Sequence, residues 1–145
     1  MNILLKQLAS KKLITALALC ACVSHATAGA VVVVGATSPI GPASKSDIVK
    51  IFLGKKKALP GSSAIPLDQD SGTSARVDFY KNTVKKSEAQ LKSYWARLIF
   101  TGKGQAPQVV GNDGDIKSMV ATNPNLLGYI EEASVDSSVK VIYKP

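Results

Sequence analysis

Residues 30–35, Ala-Val-Val-Val-Val-Gly, leave this chain few architectures. Consecutive valines suit an extended backbone and crowd a helical one. No polar side chain alternates with them, so the strand they form is buried on both faces and its sheet is covered on both sides. The rest of the sequence supplies the covering helices. Ser44 precedes Asp47 at capping-box spacing, with Asp in place of the usual Glu, and Ile48, Ile51 and Phe52 then share a face up to Gly54. Residues 64–67 read as a short strand, and residues 74–85 as a helix with Val77, Tyr80 and Val84 at helical spacing. Ser87 and Gln90 cap the next helix, whose Leu91, Tyr94, Trp95, Leu98 and Ile99 make a full core-facing stripe. A Gly-rich loop covers 100–107, and a short helix carrying Ile116, Met119 and Val120 ends before Asn123-Pro124. Residues 126–130 and 139–143 close the domain as strands. Strands alternating with helices predict an α/β fold, with a mostly parallel or mixed sheet flanked by helices.

The first 28 residues stand apart from this pattern. Lys6, Lys11 and Lys12 precede an apolar run over 13–23, and Ala26 and Ala28 follow at the spacing of an A-x-A cleavage site. That is a secretory signal peptide, with cleavage expected after Ala28 and a periplasmic destination. The rival is a lipoprotein box ending at an acylated Cys22. Cleavage after Ala28 removes Cys20, Cys22 and His25, every cysteine and the single histidine of the chain. The domain over 29–145 then has no disulfide, no thiol nucleophile, no Cys/His metal site and no histidine-based triad. With no histidine or cysteine left to activate a nucleophile, an enzyme is not expected, nor a cofactor or a metal site. Three of the 18 basic residues leave with the signal, so 15 basic residues face 10 acidic ones. That surplus suits an anionic ligand or partner and falls short of a nucleic-acid signature.

One segment carries binding chemistry, Asp68 to Arg76, Asp-Gln-Asp-Ser-Gly-Thr-Ser-Ala-Arg. A strand runs into a turn and then a helix. Ser71 or Thr73 can serve as N-cap, Gly72 lets a ligand approach the backbone, and free N–H groups at the helix start attract an anion. Arg76 could add a planar pair of donors. The plainer alternative is an ordinary cap with Arg76 on the solvated surface.

The segments Val31–Gly41, Ser46–Gly61, Ala64–Tyr80, Ser93–Gly104 and Asn125–Ile130, in this order and with Ile51–Lys55 and Ser71–Tyr80 the most specific, resemble one lobe of a phosphate ABC-transporter substrate-binding protein, a periplasmic binding protein of type 2. The resemblance runs from about Val31 to Tyr143, and the chain resembles the small single-lobe members of that group. It implies a non-enzymatic protein holding phosphate or a similar oxyanion at Ser71, Gly72 and Thr73, with an inner-membrane transporter or another envelope protein as partner. Leu67 and Gln69 stand where many members carry an Arg and an Asp, and the length allows one lobe where full members close two around the anion. The class-different alternative is an envelope adaptor that keeps the lobe and has lost the ligand.

Three other features have plain readings. Gly102–Gly104 reads as a helix C-cap with Lys103 near the negative dipole end, against a cationic loop over a ligand. Lys55–Lys57 reads as a solvated turn, with anionic head groups or an acidic partner as the functional alternative. Glu131-Glu132 reads as surface, and Tyr94 and Trp95 as core.

Overall fold

The computed structural model describes residues 29–145; the signal peptide expected over 1–28, with its alternative at Cys22, lies outside the described residues. The chain builds a five-stranded mixed sheet in the order β5-β4-β6-β1-β7. Strand β1 is Ala30–Gly35, and helix α1 is Lys45–Phe52. A small hairpin of β2 (Ala58–Leu59) and β3 (Ser62–Ser63) precedes β4 (Ile65–Asp68). Helix α2 (Ser74–Asp78) runs directly into a π-helical turn over Phe79–Val84, and α3 is Glu88–Phe100. Then come β5 (Gln108–Val109), α4 (Asp113–Thr122), β6 (Leu126–Glu131), a 3-10 turn over Glu132–Ser134 and β7 (Val139–Tyr143). β4 is parallel to both β5 and β6, whereas β1 is antiparallel to β6 and β7.

The valine run explains the layering. Val32 and Val34 belong to an apolar cluster with α1, the α2–π segment and Leu91 of α3, while Val31 and Val33 belong to a second cluster with Ile116 and Val120 of α4. Both faces of β1 are therefore dry, as the absence of alternation requires. Gly35 lets α4 come close: a Cβ there would lie 2.3 Å from the Val120 carbonyl oxygen. At the centre of the first cluster Phe79 stacks on Tyr129 at 4.2 Å between ring centroids and meets Phe52 edge-on at 4.7 Å.

Two expectations are corrected. Val77 is half exposed, because the π turn adds a residue per turn and rotates Phe79, Tyr80, Thr83 and Val84 inward in its place. The α3 stripe is only half realised: Leu91 and Trp95 are buried, but Ile99 is 56% exposed, because the apolar cluster that takes in Leu91 and Tyr94 does not extend to the last turn of α3. Ser44 and the Ser87–Gln90 box cap their helices as read from the sequence. Among the described residues, no helix is long and apolar enough to cross a membrane.

Candidate anion-binding site

β4 and β5 lie side by side, yet their chains leave in opposite directions. After β4 the chain enters α2 on one face of the sheet; after β5 it enters α4 on the other. Such a divergence opens a crevice at the carboxyl ends of the strands. Here the crevice is a cleft of about 330 Å³, lined by Gln69, Thr73, Ser74, Ala75, Asn112, Asp113 and Glu131. The first turns of α2 and α4 both face it, so their positive dipole ends converge on one volume.

The two helix starts differ. Asn112 caps α4, its side chain accepting from Gly114 N and Asp115 N while Asp115 accepts from Asn112 N, a complete capping box. Among the described residues, α2 has no side-chain cap. Thr73 occupies its N-cap position, but the Thr73 hydroxyl donates to the Asp70 carbonyl at 3.1 Å. The N–H groups of the α2 first turn therefore open on the cleft without a side-chain partner. Ser74 donates its hydroxyl to Glu131 across the mouth.

The four residues singled out in the sequence are divided between two places. Thr73 lines the cleft. Gly72, with φ of 90°, turns the chain, and a Cβ there would meet nothing within 4 Å. Ser71 points the other way, its hydroxyl 3.5 Å from Glu88 of α3. Arg76 lies behind the turn, with only 11% of its side chain exposed and neither in the cleft nor on the solvated surface. Its Nη1 lies 2.5 Å from Asp68 Oδ2 and 3.0 Å from the Gln69 carbonyl, and its Nε lies 2.6 Å from Glu88 Oε1. Burial alone would lower the Arg76 pKa, but the Glu88 hydrogen bond and the Asp68 charge raise it further, so the guanidinium is permanently charged. The Arg76 hydrogen bond in turn holds the Glu88 carboxyl below its ordinary range.

Asp68 is the hub beneath the site. Buried at the end of β4, it accepts from Tyr80 Oη at 2.9 Å, from the Tyr129 hydroxyl and from Gln69 N at 2.9 Å. Burial, and then the Asp68 charge, pushes both phenols above their usual pKa. Gln69, also buried, donates through Nε2 to the Tyr129 carbonyl at 2.8 Å and to Asp113 Oδ1 at 2.7 Å. Asp113 Oδ2 accepts from Glu131 N and Ser134 Oγ. A satisfied polar chain thus runs from Arg76 under the cleft to the start of α4, fixing its floor.

Sequence reading missed Gln69, Ser74, Asn112, Asp113 and Glu131 as lining residues. The Asn112–Asp115 capping box was the one local signal for the second helix start. Glu131, read as surface, is half-buried at the carboxyl end of β6, where it accepts from the Ser74 hydroxyl. Among the described residues no group of three His, Cys, Asp or Glu side chains could hold a metal ion.

No protein-family model and no curated protein matches the sequence. Solved structures do match the fold. A phosphate ABC transporter substrate-binding protein from Clostridium perfringens, solved with bound phosphate, aligns with a TM-score of 0.62 at 22% identity, over 79% of this chain and 44% of that one. An ABC-type phosphate transport receptor from Vibrio cholerae aligns with a TM-score of 0.60 at 18% identity, over 79% of this chain and 45% of that one. The chain has the fold of one lobe of these binding proteins. It spans less than half the length of either. In this lobe the cleft lies at the carboxyl ends of the parallel strands, between two helix starts.

Proposed function

We propose that the protein is an exported, non-enzymatic binding protein for a small oxyanion, phosphate first, taken up where α2 begins. The observation that carries this reading is the α2 first turn, which opens on the cleft without a side-chain cap at the point where β4 and β5 send their chains to opposite faces. The N–H groups at the start of α2 supply donors, and Thr73 and Ser71 join them by rotating their hydroxyls off the Asp70 carbonyl and away from the long contact with Glu88. Arg76 acts from behind as fixed positive charge, through the Gln69 carbonyl that it holds. Glu131 and Asp113 are acceptors at the far wall. A carboxylate tolerates an oxyanion that still carries a proton to donate and repels one that does not, so the cleft should take hydrogen phosphate and reject sulfate. The likeness to phosphate-transport proteins supports the ligand class. Delivery to an inner-membrane ABC transporter from the periplasm is the role that follows, and the lobe spans only part of what those proteins use.

The test is phosphorus NMR of inorganic phosphate titrated with residues 29–145. Exchange broadening or a shift that Thr73→Ala and Ser74→Ala each weaken severalfold supports the reading. An unchanged resonance at millimolar protein contradicts it.

A second reading has its own observation. Both edges of the Arg76 guanidinium are held by Asp68 and Glu88, which leaves two acids and, among the described residues, no free cation in the cleft. A lobe kept as an envelope adaptor, without a ligand, would look the same. A silent phosphate resonance together with one dominant crosslinked partner would favour it.

A further inference from the structure

Charge is sorted along this lobe. All 10 acidic residues fall outside residues 48–67 and 89–111, two stretches that between them carry only basic charges. The fold packs the two stretches together around Trp95. A Cβ on Gly54 would lie 3.2 Å from the Trp95 ring, and Lys55, Arg97 and Lys103 share a depression of about 290 Å³ beside it. A second depression, of about 460 Å³, brings Lys57 and Lys103 to the amino ends of β4 and β5. Lys55, Lys57, Arg97 and Lys103 are all exposed, and none has an ion-pair partner among the described residues. On the same C-terminal turn of α3, Phe100 is 92% exposed beside Ile99 at 56%.

This basic end is the opposite end of the sheet from the cleft. The cleft sits at the carboxyl ends of β4 and β6, with Asp68, Asp113 and Glu131; the patch sits at the amino ends of β4 and β5. A surface held by the patch therefore leaves the cleft open.

We propose that this end of the lobe docks on an anionic lipid surface. Phe100 enters the boundary between headgroups and acyl chains, and Lys55, Lys57, Arg97 and Lys103 meet lipid phosphates. The composition favours lipid over a protein partner. Protein interfaces are depleted in lysine at their centres, whereas lysines on long flexible stems with an exposed aromatic on the adjoining helix end suit a fluid anionic layer. Near such a surface each Lys or Arg gains attraction that falls off within a Debye length, so the contact is weak, additive and salt-sensitive.

Residues 29–145 hold every described element and both apolar clusters, and a cooperative thermal melt is the control that they fold. The probe is a sedimentation assay against phosphatidylcholine vesicles with and without about 30% phosphatidylglycerol, at low and high salt. The expected result is binding only to the anionic vesicles, lost at high salt. Combining K55E, K57E and K103E should weaken it by at least about tenfold, and Phe100→Ser by a few-fold with the salt dependence kept. All four positions are exposed, so these variants should melt like the parent. Equal binding to neutral vesicles, no binding to anionic ones, or binding indifferent to the charge reversals overturns the proposal. Retention on an acidic protein with no vesicle response reassigns the patch to a protein partner and overturns it equally.

Discussion

Arg76 and Asp68, eight residues apart across the Ser-Gly-Thr turn, form an ion pair of 2.5 Å that is almost closed to water. The pair ties the first helical turn of α2 to the end of β4. It also explains why the one guanidinium near the turn does not reach the cleft: Asp68 and Glu88 hold it from two sides.

Removing one partner of such a pair leaves an uncompensated buried charge. Arg76→Ala should therefore destabilise the fold by about 3–5 kcal/mol, and Arg76→Ala with Asp68→Asn by clearly less than the two single changes added together. Urea unfolding of the four proteins of this cycle measures it. Additive losses would mean that the pair is not coupled as its geometry requires.

Tyr80 and Tyr129 share the same aspartate, and their folded pKa values are raised by burial and by its charge. A raised folded pKa means that the unfolded chain releases protons first as pH rises. Stability is full below about pH 10, the ordinary tyrosine range, and declines above it as the unfolded phenols ionise. The two rings should stay silent in an ultraviolet titration until the protein unfolds, and Tyr129→Phe should flatten the alkaline decline. Reversible titration of all four tyrosines near pH 10 in the folded protein would contradict this.

Gly35 lies at the end of β1 against α4, and a Cβ there would fall 2.3 Å from backbone at Val120. Gly35→Ala should cost about 2–3 kcal/mol by forcing strand and helix apart. Gly72→Ala, which meets no neighbour, should cost only the strain of its positive φ, about 1 kcal/mol. Thermal melts that rank the two the other way would contradict the packing described.

What the sequence made legible was local. The valine run, Ser44 and the Ser87–Gln90 box are decided by residues a few positions apart, and the structure places each as read. The π turn was not legible, because nothing in Phe79–Val84 marks the extra residue that turns Val77 out and Phe79 in. Strand β5 is two residues long and exists only because β4 offers a free edge. For the site, the turn at Ser71–Thr73 was legible. Its far wall was not, since Asp113 and Glu131 arrive from strands and helices distant in sequence. The role of Arg76 was open on spacing alone, because a buried Asp68 below it is a tertiary fact.

The central claim is that the cleft at the start of α2 takes a protonated oxyanion. Calorimetric titration of residues 29–145 with phosphate, and separately with sulfate, in low-salt buffer near neutral pH tests it most directly. The account predicts saturable heat with phosphate and none with sulfate, because Glu131 and Asp113 need a proton to accept. No heat with either at millimolar concentration, or equal heat with both, would contradict it.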